Sequence, residues 1–440
     1  MSNSISFATP LPRRRLLQAG YLAGVGLSLG EYLRLADASE QAATTKNKKP
    51  RGTADSVILL HLAGGPAHLD TLDMKPDAPA EERGPFARIK TRIAGLDACE
   101  HLPKLAAAMD RFTLVRGISH ATGDHLLANQ FLYTGNKPSA AVHFPAIGSV
   151  MTRERPSADE LPSFVVVPNS DANPGFMGVE YAPFKTAAVP KAGQPFEVRG
   201  LSLPAGLTVE KFRRRESLRA DLDTALRTVD AGSDVLAGLD RFGAKATTMI
   251  LSSTAREAFD VGRESPAITK RFEANDLGQS CLLAARLVER GVRFVSVTHD
   301  GWDTHTDNFE GHKKLLAPFD AAITALEATL REKGMLDRTL VIATGEFGRT
   351  PTINKHQGRD HWPRTMWTLM TGGGVRPGRL IGGTDPKGHG PNDATHLKPD
   401  DLAASIFHAL GVDHKLEYHT KTGRPVILVQ HGEPIRELFA

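Results

Sequence analysis

Two cysteines in 440 residues leave little room for a disulfide framework or a cysteine-based metal site. Cys99 and Cys281 lie far apart. Cys281 sits in the apolar stretch Cys281-Leu282-Leu283-Ala284-Ala285, which reads as a buried free thiol. If the protein is exported, a bridge between the two stays open on sequence alone. The chain also lacks an apolar run long enough to form a stable membrane span. A strong charge of one sign is absent too. The net charge is +4, and residues 1–38, with Arg13, Arg14, Arg15 and Arg34 against Glu31 and Asp37, carry +2 of it. The remaining +2 gives no reason to expect a polyanion. The basic run Arg213-Arg214-Arg215 is flanked by Glu210, Glu216 and Asp221 without interleaved aromatics. It reads as a solvated helix face, and nucleic acid is not expected as a partner.

What is present is an ordinary globular balance, 40% apolar and 24% charged. The length suits one large α/β domain with insertions or two ordinary domains. At the N-terminus, Arg13-Arg14-Arg15 precede Leu16-Leu17 and an uncharged stretch from Ala19 to Gly30, and Ala36-Asp37-Ala38 supplies a small-x-small cleavage pattern. Residues 1–38 therefore read as a secretory signal of the twin-arginine type, with the twin-arginine export machinery as partner. The alternative is an uncleaved amphipathic anchor. A periplasmic or cell-surface location follows from the first reading. Residues 39–55, polar and without apolar periodicity, read as a linker.

From residue 56 the chain alternates strand and helix patterns. Apolar runs rich in branched residues at 56–62, 111–118, 163–168, 292–298 and 339–344 read as buried strands, with a sixth at 365–370. Between them, Leu315, Phe319, Ile323, Leu326 and Leu330 recur at helical spacing before Gly334, and 277–290 ends at Gly291. A last helix, capped by Asp400 or Asp401, stops at Gly411. The pattern predicts a mainly parallel sheet sandwiched by helices. Residues 170–275 break the alternation with Gly/Pro-rich segments and helical patterns at 236–260. They read as a helical insertion, either a lid over the site or packing on a sheet face.

The polar chemistry follows the strands. After the first come His68, Asp70 and Asp73; after the second, His120, Thr122, Asp124 and His125. After the fourth stand His299, Asp300, Asp303 and His305; after the fifth, Glu346 and Arg349, then Arg359, Asp360 and His361. In a parallel sheet these strand ends share the edge where open α/β folds bind ligands. One Asp after a strand is most often a helix cap or an Asx-turn, and Glu346 with Arg349 could be a structural ion pair. So many carboxylates converging on one cleft repel each other unless a cation sits among them. Mixed oxygen and nitrogen ligands suit zinc or manganese and, with more waters, magnesium or calcium. The sequence does not choose among these divalent ions.

Three motifs, Gly301-Trp302-Asp303-Thr304-His305, Gly345-Glu346-Phe347-Gly348-Arg349-Thr350-Pro351 and Gly358-Arg359-Asp360-His361-Trp362-Pro363, together resemble the bacterial family of domain of unknown function 1501. Gly64-Gly65-Pro66 and Pro174-Gly175-Phe176-Met177-Gly178 support the likeness, which spans roughly residues 56–415. That family is similar in fold to the alkaline phosphatase and sulfatase superfamily, which implies a two-metal hydrolase architecture. Carried over residue by residue, the resemblance implies Asp70 (or Asp73) on one metal, Asp303 and His305 on the other, with Glu346 and His361 as further ligands. Arg349 or Arg359 would clamp an oxyanion. Sulfatases carry Cys or Ser about nine residues before a Thr-Gly pair; here, before Thr134-Gly135, that slot falls on His125. His125 would be nucleophile or ligand, or Thr122 would take the hydroxyl role. The expected activity is hydrolysis of a small-molecule or carbohydrate ester of phosphate or sulfate. The rival is a non-catalytic binding protein that keeps the fold, and a third reading is isomerase or transferase chemistry on a phosphorylated substrate.

Overall fold

Strand β1 (Ser56–Leu62) is buried along its whole length because it has neighbours on both edges and helices on both faces. That environment explains its near-continuous apolar sequence. The computed structural model describes residues 52–439, save 159, 195, 197, 199–200, 202–207, 209, 212–213, 216–233 and 393–395. The leader at 1–38, the linker as far as 51 and much of the stretch 202–233 thus lie outside the described residues.

The main sheet adds β2 (Thr113–Ile118), β3 (Phe164–Val167), β4 (Phe184–Lys185), β5 (Phe294–His299), β6 (Thr339–Thr344), β7 (Met366–Thr371) and β8 (Arg379–Gly382). Their order is β8-β2-β7-β6-β1-β5-β3-β4. Every pairing is parallel except those of β7, which runs against both β2 and β6. The fold is a mainly parallel sheet sandwiched by helices. The six strands expected from sequence are all present. The edge strands β4 and β8 have two and four residues, too short to show a period.

Helices α1 (Pro103–Ala108), α2 (His125–Thr134), α3 (Ile147–Glu154), α4 (Asp234–Leu251), α5 (Ser253–Phe259), α6 (Asp276–Glu289), α7 (Asn308–Glu332) and α8 (Pro399–Ala409) divide between the faces. On one side Leu105, Phe259, Leu282, Phe319 and Leu326 of α1, α5, α6 and α7 form a core with β1 and β5. On the other, Leu132, Val150 and Phe407 of α2, α3 and α8 pack on Leu59, Phe294 and Ile342. The expected cap of α8 lies slightly earlier: Lys398 is the N-cap, and Asp401 Oδ2 accepts its backbone N–H at 3.0 Å. The helical pattern at 236–260 is two helices, parted at Ser252, whose hydroxyl accepts from Ala255 N. Of the described residues in 170–275, Ser170 and Asp171 line the main cleft, whereas α5 packs on the sheet-face layer.

The folded body begins before β1. Ala54 is fully buried and its N–H donates to Ala409 O, and Asp55 pairs with Arg155 and Arg338. Polar composition alone had assigned these residues to the linker; their partners lie 100 or more positions away. Among the described residues no helix is long and apolar enough to cross a membrane.

Candidate metal centre

Five chain segments meet at the carboxyl edge of the sheet. Asp124 caps α2 by accepting Leu127 N–H at 3.0 Å, which sets His125 in the first turn. Beyond β5, the buried Trp302 donates its indole N–H to His299 Nδ1, and the next residues present Asp303 and His305. Beyond β6 comes Glu346, then a two-residue antiparallel ladder of Gly348–Arg349 with His361–Trp362. Because β7 is antiparallel, the segment preceding it approaches this same edge and brings Asp360 and His361. Gly64, at φ +109, lets the turn after β1 close against Asp303: a Cβ there would stand 2.3 Å from Asp303 N.

Asp303 Oδ1 is the centre of the arrangement. His305 Nε2 lies 3.1 Å from it, His361 Nε2 3.2 Å and His125 Nε2 3.3 Å. His305 Nε2 and His361 Nε2 are themselves 2.9 Å apart. The donor atoms of His125, Asp303 and His361 all fall within 4.8 Å of one another. The other ring nitrogens are committed. His125 Nδ1 donates to Glu346 Oε1 at 2.6 Å, His305 Nδ1 to Asp360 Oδ1 at 2.7 Å and His361 Nδ1 to Gly123 O at 2.6 Å. Each acceptor has no proton to offer, so the neutral rings carry hydrogen on Nδ1 and a lone pair on Nε2. Three lone pairs and a carboxylate oxygen therefore face one point, and His125 Nε2 is buried without a hydrogen-bond partner.

Those donors fit a divalent cation. Imidazoles whose second nitrogen is held by a carboxylate or a carbonyl are the usual zinc environment, and three nitrogens with one oxygen suit zinc better than magnesium or calcium. The four side chains are 24–46% exposed, which leaves room for a further ligand from solvent. Burial raises the Asp303 carboxyl, but the Arg349 guanidinium, with His361 and His125, outweighs it and holds the group at about 2. Asp360 is held below the usual carboxylate range first by its hydrogen bond from His305.

Several residues expected at the site do other work. Asp70 is fully buried, and both its oxygens are taken, by Arg359 at 2.7 and 2.8 Å and by Asn308 at 2.8 Å. It closes a buried ion pair with Arg359. Asp73, the alternative, is buried against Arg116, Lys75 and Thr384. Arg359 also donates to Thr350 O, Pro351 O and Glu82 O, so it has no hand free for an oxyanion. Arg349 is likewise buried and spends its donors on Asp303, Gly64 O, Gly65 O and Arg359 O. It orients Asp303. Glu346 orients its neighbours: its oxygens accept from Gly64 N, His125 and His61. Burial raises its carboxyl, yet the hydrogen bonds from His125 and His61 hold it well below the ordinary range. Thr122 contributes its backbone N–H to His120 Nδ1.

Two residues were missed. Asp360 stands among the polar residues after the fifth strand, beside His361, yet sequence alone gives it no role in holding a ring. His61 sits in the apolar run of β1, where nothing marks it as part of a site. A cleft of about 440 Å³ opens beside the centre, lined by Asn129, Asn169, Ser170, Asp171 and Asp300 as well as His125 and Asp303.

A family model described as "Protein of unknown function (DUF1501)" matches residues 54–439. None of the curated proteins matches the sequence. Among solved structures, the chain is similar to the lipoteichoic acid synthase LtaP from Listeria monocytogenes, at 9% identity and TM-score 0.38, over 87% of this chain and 76% of that one. It is similar to the PsFucS1 sulfatase from Pseudoalteromonas sp., at 12% identity and TM-score 0.35, over 86% and 72%. The alkaline phosphatase of the Antarctic bacterium TAB5 is similar at 12% identity and TM-score 0.36, over 82% and 99%.

Proposed function

The chain belongs to the DUF1501 family of proteins of unknown function, and from its site we propose that it is a metal-dependent hydrolase of phosphate or sulfate esters. The observation that carries this reading is the convergence of three histidine Nε2 atoms on Asp303 Oδ1. His125, Asp303, His305 and His361 would hold one divalent cation. Such an ion supplies charge to a phosphoryl or sulfuryl oxygen and acidifies a water. Arg349 fixes Asp303; Glu346, Asp360 and the Gly123 carbonyl fix the rings. The N-terminal end of α2 adds a favourable field for an anion. With a histidine where sulfatases place Cys or Ser, and its Nε2 turned to Asp303, attack falls to water. The cleft walls offer acceptors and, among the described lining residues, no Lys or Arg. That suits an ester whose remaining part carries hydroxyls, such as a carbohydrate, rather than a second anion.

The rival, a binding protein that retains the fold, draws on the same occupied nucleophile position. The experiment is metal analysis of the mature protein purified without chelator, with phosphate and sulfate ester turnover in zinc, manganese, magnesium or calcium. One ion per chain, lost in Asp303→Ala and His361→Ala together with turnover, is expected. Metal without turnover on any ester favours the binding protein; no binding of any ion overturns the hydrolase and leaves the binding protein. We also place the protein outside the cytoplasm through the twin-arginine route. Lys at Arg13, Arg14 and Arg15 together should retain it inside, as cell fractionation would read.

A further inference from the structure

Behind the metal centre a line of hydrogen bonds runs into the core. Tyr133 Oη lies 2.8 Å from His61 Nδ1, His61 Nε2 lies 3.2 Å from Glu346 Oε2, and Glu346 Oε1 lies 2.6 Å from His125 Nδ1. His61, Glu346 and Tyr133 are no more than 3% exposed. The line starts on the last turn of α2, crosses β1 and the loop after β6, and returns to the first residue of the same helix.

With the His61 ring neutral, each of these bonds has one direction. An ionised Glu346 only accepts, so His61 Nε2 and His125 Nδ1 both donate to it. His61 Nδ1 is then a lone pair, and it accepts from Tyr133. Burial pushes the Tyr133 hydroxyl upward, so it keeps the proton this requires. The line ends on His125, whose Nε2 faces Asp303 Oδ1 at 3.3 Å.

A purely structural reading of His61 is weak. The rest of β1 from Val57 to Leu62 is aliphatic, and this position is buried. A leucine there would need no partners, whereas a buried imidazole must have both nitrogens satisfied. Both are satisfied here by groups that serve the site.

We propose that His61 and Tyr133 are positioning residues of the metal centre: they hold Glu346 in the rotamer that fixes His125 with its Nε2 free for a cation. This rests on the metal-centre reading above.

The test compares His61→Leu, His61→Gln and Tyr133→Phe in the full mature chain, with zinc alone as probe. Gln can place its amide nitrogen near the position of imidazole Nε2 and offer its oxygen to Tyr133. Zinc affinity should fall about 10- to 100-fold in His61→Leu and stay within about threefold in His61→Gln. In metal-free protein, at a pH high enough for the ring to be neutral, ¹⁵N two-bond correlation spectra should show His125 as the Nδ1–H tautomer in the wild type and His61→Gln, and as a mixture in His61→Leu. Tyr133→Phe, nearly isosteric, covers the case in which His61→Leu does not fold, and it should lower zinc affinity severalfold. Unchanged affinity and tautomer in His61→Leu or, failing that, in Tyr133→Phe overturns the proposal. So does an equal loss in His61→Leu and His61→Gln, because the second keeps the hydrogen bonds. If wild-type protein binds no zinc, the metal-centre reading fails, and the metal-free tautomers still decide whether the line of bonds fixes His125.

Discussion

His305 and His361 meet through their Nε2 atoms at 2.9 Å, each with its Nδ1 hydrogen already given to another acceptor. Two lone pairs at that distance repel unless a proton or a cation lies between them. The pair is therefore a more specific signal than the carboxylates around it.

If His305 is a ligand, its orienting partner has a graded effect. Asp360→Asn should weaken zinc binding about 10- to 100-fold, since it removes only the carboxylate that holds the ring. His305→Ala should cost more. A competition titration against a chromophoric chelator measures both, and equal affinities in Asp360→Asn and wild type would contradict the arrangement.

Asp70 should behave as a structural residue. It and Arg359 are both fully buried, so Asp70→Asn leaves a guanidinium without its counter-charge. Removing one member of such a pair costs about 3–5 kcal/mol, readable by urea unfolding. The folded fraction should keep its full metal content. Loss of metal with stability intact would instead restore Asp70 as a ligand.

Stability should fall in mild acid in part through His312. Burial pushes this imidazole down to about 4 from 6.5, against the raising effect of Asp70. The unfolded chain takes up a proton first as pH falls. Stability is therefore complete above 6.5 and drawn down between 6.5 and about 4, by about 3 kcal/mol for this one group. His312→Gln, which can still accept from Ala67 N–H, should show a shallower fall in melting temperature over that window.

Cys99 and Cys281 are both free and buried, and burial pushes the Cys99 thiol up to about 12. Ellman's reagent should find neither in native protein and both after denaturation, with no reductant needed. Fewer than two thiols in denaturant would show a disulfide.

The sequence made the centre of the sheet legible because buried parallel strands leave an unmistakable apolar run. β1 and β6 were located to the residue. Asp303, His305 and His361 were legible because motifs with short spacing place them after strands. Asp70 looked equally convincing, but its partner Arg359 is 289 positions away, and nothing local distinguishes a ligand from half of an ion pair. Sequence places Glu346 in the cluster, and the structure gives its oxygens to Gly64 N, His125 and His61, a detail that depends on which atom points where. His61 was invisible for the reason that makes β1 obvious: in a strand buried on both faces, a single ring reads as one more core position.

The Asp70–Arg359 pair ties the turn after β1 to the loop carrying Asp360 and His361, and Arg359 immediately precedes that pair of residues. The loop is thus bolted down by contacts that owe nothing to an ion. A cation arriving there would meet side chains already in place and have no loop to organise, so its capture should be limited by diffusion and water exchange rather than by refolding. A chelator should strip it and leave an intact fold behind. A metal held there would be a guest of this architecture, not its keystone.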